Sequence, residues 1–320
     1  MSNITTTSLS DQYQSYFSKD LLNYAVQGLA LNDYAQQADL PKNVGSKKIA
    51  WFRYDAPAAS NVQTLTEGTA ISTSRDLTLT KVEATLAQYG EYAKVTDILS
   101  WTELYDAMAQ AVKVMGQDAA IHADQISRNA LVVGAATANE FFAKNTSFAN
   151  LASAAAAAAT VDSTEFLRTR TRLVITRAPK FGTDFVAVVP PQHVHDLRKD
   201  ERWFKAMQYG AYEKLFKDEI GKLDGIRYVE ATNPFIELST EDTYDASGGV
   251  FSSIVLGKEA FGTPKLTSQS PFSPSIIIVD KPDSGNPLLQ YKSAGWKAFW
   301  TAKVLNDTWY CNLRGKTSYA

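Results

Sequence analysis

TLTEGTAISTSRDLTLTKVEATLAQYGEYAKVTD, from Thr64 to Asp97, is the stretch that decides the fold. It reads as strand, polar tip and strand, and its first half contains few large apolar residues. A two-stranded ribbon of this kind is marginally stable alone in water. We therefore predict that the ribbon is stabilised by contact with a second surface.

The ribbon extends on both sides of that stretch. KKIAWFRYD (Lys47–Asp55) alternates as a strand does, Ala56–Ser74 is polar, and period-two patterning returns over Asp76–Asp97. Gly90 in the returning stretch predicts a slip of register. Residues 47–96 are thus predicted to form a long antiparallel excursion, and excursions without a core of their own are usually functional.

Two helices flank the ribbon. Before it, SDQYQSYFSKDLLNYAVQ carries apolar residues at helical spacing, and Gly28 ends or kinks the helix. After it, Trp101–Val133 has no proline and an apolar stripe along one face. A helix of roughly 30 residues would be about 45 Å long, with Gly116 as its weak point.

The remaining chain mixes helices and strands. Asp162 and Ser163 are predicted to cap a basic amphipathic helix, and Asp184–Pro191 reads as a central buried strand. Helical patterns and several strands follow, ending near a turn at Asn306-Asp307. The apolar residues of the basic helix are Phe166, Leu167, Val174 and Ile175, and its solvent-facing arginines are Arg168, Arg170, Arg172 and Arg177. These arginines suit a solvated face or subunit contact better than nucleic acid, because no aromatic residues are interleaved with them. The fold class is α+β rather than a βαβ repeat.

Composition excludes several protein classes. The 320 residues include 45 % hydrophobic and 21 % charged residues, and the net charge of −2 leaves no obvious nucleic-acid arm. The single Cys311 excludes an internal disulfide framework and fits a reducing cytosol. Neither a signal peptide nor a membrane span is predicted. We expect a soluble intracellular product.

The motifs of common catalytic sites are nearly absent. His193-Val194-His195-Asp196 is the tightest cluster, but it lies in a helical pattern where residues i and i+2 do not face each other. Gly315-Lys316-Thr317 lacks the glycine that a phosphate loop requires five residues earlier, where Tyr310 stands. Cys311 has no nearby base and reads as a structural thiol. The sequence therefore predicts no catalytic residue, metal or cofactor.

Taken together, motifs along the chain resemble one family. Those of the ribbon are Leu65–Thr69, Arg75–Leu77, Val82–Leu86, Gln88–Tyr92 and Thr96-Asp97, and those downstream are Gly116–Leu131, Pro190–Leu197 with Trp203, and Glu230–Pro234. In this order and spacing they are similar to the major capsid proteins related to that of bacteriophage N4, which have the HK97-type fold. The resemblance spans residues 10–315 and carries no catalytic residue.

The resemblance implies a role for each segment. Residues 1–46 would be an N-terminal arm, and 47–82 an extended loop lying over a neighbouring subunit. Residues 83–135 would be a peripheral domain with the long spine helix, and 136–275 an axial domain. Residues 276–320 would be C-terminal strands returning to the peripheral domain.

The implied function is that of a major capsid protein. Its copies would form hexamers and pentamers of an icosahedral phage head around double-stranded DNA, bound non-specifically, with portal and scaffolding proteins as partners. It would be found in the virion after assembly in the host cytoplasm. Two alternatives stay open: an encapsulin-like nanocompartment shell, and a metal-dependent hydrolase using His193, His195 and Asp196.

Four residues are candidates for contacts between subunits. Glu67 and Arg75 lie towards the polar tip, where each would find an opposite charge on a neighbour. Trp51 and Arg53 on the preceding strand complete the set. A wet, hydrogen-bonded contact would explain why the tip is polar.

Overall fold

A computed structural model describes most of the chain. The described residues are 30–39, 47–54, 64, 67–68, 78–102, 107–133, 137–155, 158–209, 219–233, 235–237, 249–265, 274–282 and 285–319. The helix predicted before residue 28 and most of the polar excursion lie outside these residues. So do residues 211–218 of the helix that the sequence predicts over 211–220, and that prediction is wrong for Glu219 and Ile220, which lie in a strand.

The described residues form six α-helices and fifteen strands. The helices are α1 Asp97–Thr102, α2 Ala107–Val132, α3 Phe148–Ser153, α4 Ser163–Ile175, α5 Pro191–Lys199 and α6 Glu201–Tyr209. The strands are β1 Gln36–Asp39, β2 Lys48–Tyr54, β3 Leu79–Thr85, β4 Ala87–Thr96, β5 Glu140–Phe142, β6 Phe185–Val189, β7 Glu219–Leu223, β8 Ile226–Glu230, β9 Ile236–Glu237, β10 Val250–Leu256, β11 Phe261–Lys265, β12 Ser275–Val279, β13 Tyr291–Trp300, β14 Lys303–Val304 and β15 Tyr310–Gly315.

The largest sheet has seven strands, in the order β5-β15-β10-β6-β8-β7 with β9 beside β10. Every residue of β6 is buried, which confirms the predicted central strand. Helices α4, α5 and α6 cover one face through Phe166, Leu197 and Trp203. The other face packs against the end of α2, where Leu131 and Val132 are buried. The sheet is thus covered on both sides, and this explains its apolar strands.

The last strand and the turn before it lie apart from the sheet that contains β13. β15 pairs with β10 and β5 in the large sheet, whereas β13 pairs with β4 and β12 in another. β15 therefore lies in a different sheet from β13, and the assignment of residues 276–320 to a peripheral domain stays a prediction. The turn predicted at Asn306-Asp307 is present as a 3-10 turn, and the Asn306 side chain caps it by accepting a hydrogen bond from the Thr308 amide.

A second sheet, β12-β13-β4, carries the long helix α2 on one face. Alternate residues of β13 face the helix, and the indoles of Trp296 and Trp300 donate to Asp118 and Ser127 at 3.2 and 3.4 Å. The described part of the predicted helix is present as α1 and α2. At 26 residues, α2 is about 39 Å long, and Gly116 lies buried within it without breaking it.

Gly90 does not produce a slip of register. All ten residues of β4 pair in continuous register with β13, so that prediction is wrong. The position needs glycine for another reason. A Cβ on Gly90 would lie 2.7 Å from the Trp296 carbonyl oxygen, and one on Gly295 would lie 2.8 Å from the Glu91 carbonyl oxygen. The two strands approach too closely there for a side chain.

Helix α4 begins as predicted. The Asp162 side chain accepts hydrogen bonds from the amides of Thr164 and Glu165. The buried stripe is Phe166, Thr169 and Leu173. The prediction that Val174 and Ile175 belong to the apolar face is wrong, because both are exposed at the C-terminal end of the helix. Arg168 and Arg177 are exposed as predicted, while Arg170 and Arg172 are half-buried.

The ribbon β2–β3 is attached to its own chain at its base. One face packs Ile49, Trp51 and Ala84 against Leu305. The Trp51 ring lies on Gly262 of β11, where a Cβ would come within 2.6 Å of the ring. The opposite face, with Phe52, Tyr54 and Leu79, is exposed to solvent. We call these three residues the ribbon's outer face.

Residues 30–39 are also held by their own chain. The Leu31 amide donates to the buried Asp124 carboxylate of α2 at 3.1 Å, and Leu31 itself is buried. β1 then pairs in parallel with β11, which pairs with β14. The described end of the predicted N-terminal arm is therefore fixed between the long helix and a small sheet.

Replacing Trp51 by Ala should destabilise the chain by about 3–5 kcal/mol, because the buried ring would leave a cavity beside Gly262. The neighbouring Phe52→Ala is the matched control, since its ring is 62 % exposed and its loss should change stability by less than about 0.5 kcal/mol. Urea unfolding measures both. Equal losses would show that the ribbon is not attached through Trp51.

Candidate functional site: surfaces for assembly

The candidate metal ligands on α5 have separate partners. His193 is fully buried, with Nδ1 2.7 Å from the Ser253 hydroxyl and Nε2 3.2 Å from the Gly315 carbonyl. Asp196 accepts from the Ser318 amide at 3.0 Å, while the His195 ring lies against Tyr319. In the described part of the chain no three His, Cys, Asp or Glu side chains form a group that could hold a metal. The residues do not fit a metal centre.

These side chains instead fix the end of the chain onto α5. Lys316 donates to the carbonyls of Ala152 and Ala154 at 2.9 and 2.8 Å, so it closes the C-terminal end of α3. The Thr317 hydroxyl donates to the Gln192 carbonyl at 3.3 Å. Gly315-Lys316-Thr317 is thus a structural clamp. No local pattern predicts this clamp, because its contacts join residues more than 100 positions apart.

Cys311 is a structural thiol, as the sequence predicts. It is fully buried, and burial raises its thiol pKa to about 12. The thiolate that a nucleophile requires is therefore not formed at neutral pH.

The four candidate contact residues have different environments. Glu67 is exposed, and Arg75 lies outside the described residues. Trp51 is buried within its own chain, and the Arg53 guanidinium donates to the Leu305 carbonyl at 3.0 Å. None of these observations tests a contact with another subunit, which stays a prediction for all four.

Several large apolar side chains are exposed in the single chain. Besides the ribbon's outer face, they include Ile98 and Trp101 of α1, and the Trp101 side chain is 90 % exposed. Exposed aromatic clusters mark protein interfaces more often than plain surface. Sequence reasoning placed Trp101 in the long helix and missed its exposure. No helix among the described residues is long and apolar enough to cross a membrane.

The face of the second sheet away from α2 contains a groove of about 530 Å³. Its floor is the backbone at Gly90 and Gly295, and its walls include Tyr92, Ile277 and Val279. We call it the outer sheet groove. Sequence reasoning missed it, since it depends on the pairing of strands about 200 residues apart.

Among the known proteins compared with this chain, the matches are to solved structures. No protein-family model and no curated protein sequence matches the chain. Among solved structures, the capsid of Ralstonia phage GP4 superposes with a TM-score of 0.66 at 10% identity, over 91% of this chain and 90% of that one. The capsid of cyanophage P-SCSP1u superposes with a TM-score of 0.62 at 15% identity, over 91% of this chain and 90% of that one.

This chain has the HK97-type fold. The SrpI encapsulin of Synechococcus elongatus PCC 7942 is a more distant neighbour, with a TM-score of 0.54 at 10% identity over 88% and 85% of the two chains. The HK97-type fold confirms the predicted α+β class. The finer resemblance to the N4-related capsid proteins stays a prediction.

His193 should make the fold sensitive to acid. Burial lowers its pKa from 6.5 to about 4, so the native state binds fewer protons than the unfolded chain between these values. The stabilisation from neutral His193 is complete above pH 6.5 and is lost as the pH falls towards 4, by about 3 kcal/mol. Urea unfolding across this range should show that the difference in stability between the wild-type chain and His193→Gln changes by about this amount. His195→Gln, at a half-exposed ring, should retain the wild-type dependence on pH.

The ionisation of Asp124 should change the stability of the fold with pH in the opposite direction. Burial raises its pKa from 3.8 to about 6, against the opposing effects of the Leu31 amide and the Arg128 charge. The native state therefore binds more protons in this window, and stability falls by about 3 kcal/mol as the pH rises through it. Asp124→Asn keeps an acceptor for Leu31 and should be more stable at neutral pH. A less stable variant there would show that the charge itself is needed.

Proposed function

We propose that the chain is the major capsid protein of a tailed bacteriophage or prophage. Its copies assemble into hexamers and pentamers of an icosahedral head that encloses double-stranded DNA. The observation that carries the proposal is the agreement in fold with phage capsid subunits along nine-tenths of both chains. The exposed apolar surfaces of the single chain, which a shell would cover, support it.

Each part of the structure then has a place in the shell. Helix α2 and the sheet β12-β13-β4 form the peripheral domain, and the seven-stranded sheet, including β15, forms the axial domain at the centre of each hexamer or pentamer. Residues 47–82 form the extended loop, and residues 1–46 the N-terminal arm. The attachment at Trp51 and Gly262 supports this, because it fixes the direction in which the loop leaves its own subunit.

The ribbon's outer face lies on the neighbouring subunit. Phe52 and Tyr54 supply apolar area there, while Glu67 and Arg75 pair with opposite charges nearer the tip. Each contact is weak alone. Repeated around a closed lattice, the contacts stabilise the shell collectively because each added subunit binds several neighbours at once.

The shell has portal and scaffolding proteins as partners and no enzymatic activity of its own. A subunit with net charge −2 binds packaged DNA weakly and without sequence preference. The protein belongs to the virion and is assembled in the host cytoplasm. The encapsulin match supports a second candidate, a nanocompartment shell that encloses protein cargo. Portal and terminase genes beside the coding gene favour the first, and a cargo-enzyme gene favours the second.

Electron microscopy of the chain, expressed with its neighbouring head genes, tests the proposal. We expect closed particles of many copies. Changing Phe52 and Tyr54 together to Glu should lower particle yield at least tenfold, since ~1.4 kcal/mol per contact already gives a factor of ten. The urea midpoint of the unassembled chain should not change, because both rings are exposed.

The matched control is Leu288→Glu, at a residue that is 79 % exposed and distant in sequence from the ribbon. It should leave particle yield unchanged. A protein that stays monomeric and binds metal stoichiometrically through His193 and His195 would support the hydrolase instead, and would overturn the proposal.

A further inference from the structure

Residues 30–39, which we call the anchored segment, are attached to the rest of the chain by few side chains. The buried residues of the segment are Leu31 and Asn32, and the Asn32 side chain accepts a hydrogen bond from the Thr263 hydroxyl at 3.1 Å. The four side chains of β1 are exposed or half-buried, although its backbone pairs with β11. A segment with so few buried contacts can open locally while the rest of the fold stays intact.

The attachment centres on the Asp124 carboxylate of α2. Asp124 is 2 % exposed and accepts a hydrogen bond from the Leu31 amide at 3.1 Å. The Ala30 amide and the Asn233 side chain also donate to it. One buried carboxylate therefore joins the anchored segment, the long helix and the residues that follow β8.

The charged group that acts on Asp124 is Arg128, one turn further along the same helix. Its guanidinium donates to the backbone and side-chain oxygens of Asn233 at 3.2 and 2.9 Å, so its charge is shared with that residue. Burial outweighs these partners and raises the pKa of Asp124 from 3.8 to about 6. An ionised Asp124 is therefore costly while the anchored segment lies on it, and much less so once water reaches it.

Other titratable side chains lie on the elements around Asp124. They are His122 on α2, Asp33 and Asp39 in the anchored segment, Glu230 on β8, Lys265 on β11 and Lys303 on β14. Within the described residues, none of the six forms a hydrogen bond or an ion pair with Asp124. Burial also raises the pKa of Asp33, so its contribution has to be separated by experiment.

We propose that Asp124 is a proton-controlled latch for the anchored segment. When its carboxyl group is neutral, the segment stays closed on α2. When the group loses its proton to solvent, the segment opens locally and water reaches the carboxylate. The latch lies within one chain, so it does not rest on the proposed function.

The direction of the response follows from the two environments of the carboxyl group. Its pKa is about 6 in the closed form and returns to 3.8 when water surrounds it. The closed form therefore binds more protons, and the equilibrium constant for opening rises about tenfold between pH 5 and pH 7.5. The segment is held most firmly in acid and least firmly at neutral pH.

Hydrogen–deuterium exchange of the full, unassembled chain tests the latch. After correction for intrinsic exchange rates, protection of the amides of residues 31–39 should fall about tenfold from pH 5 to pH 7.5. Strand β6 should be more protected than the segment at both pH values, because it lies fully buried at the centre of the large sheet.

Two results for the wild-type chain would overturn the proposal. Equal protection of β6 and the anchored segment would show that the segment opens only when the whole fold does. Protection of the segment that rises with pH would show that the charged carboxylate holds it closed.

Two variants assign the response to Asp124. Asp124→Asn keeps an acceptor for the Leu31 amide, and protection of the segment should then vary by less than about twofold over the same range. Asp33→Asn, within the segment itself, should retain a change of at least about fivefold. A full tenfold change in Asp124→Asn, or its loss in Asp33→Asn alone, would overturn the proposal.

Discussion

The structure depends on one helix that packs against two sheets. The first two-thirds of α2 packs against Trp296 and Trp300 of the second sheet through Val112, Ala119 and Ala123. Its last turn packs against the seven-stranded sheet through Leu131 and Val132. Small residues let the helix approach the two indoles closely, and its uninterrupted 26-residue length fixes the spacing of the sheets. The packing of α2 therefore joins the two sheets.

Buried side chains at the ends of helices and strands also hold α2 against the seven-stranded sheet. Arg314 of β15 pairs with Glu140 at 2.7 Å and Glu237 at 3.0 Å, and it also approaches the Val132 carbonyl at the end of α2. A buried arginine would lose both carboxylate partners in any other arrangement, so it opposes alternative packings more than it adds stability. The buried His193 acts similarly. Its ring joins α5 to Ser253 of β10 and to Gly315 at the end of β15, and a shift in the register of either strand would break these hydrogen bonds.

Local patterns predicted the elements well and their partners poorly. The strand at β6, the cap at Asp162 and the alternation of β2 follow from neighbouring residues, and the structure has all three. The position of β15 in the large sheet does not, because pairing over long separations leaves no local signature. Gly90 is a second example. A glycine within a strand is found both at bulges and where two strands approach closely, and the sequence alone does not distinguish the two. Exposure of Trp101 and the outer sheet groove likewise depend on which faces remain uncovered after packing.

The contact of Trp51 with Gly262 has a mechanical consequence. The ribbon is held near its base by Ile49, Trp51 and Ala84 packed on Leu305 and by the Trp51 ring on Gly262, so a force applied at its far end would act mainly on these contacts. Strain from a neighbour would therefore pass through β11 into β1 and the residues next to Asp124. A residue larger than glycine at position 262 would displace the Trp51 ring and weaken this attachment, because its Cβ would lie 2.6 Å from the ring.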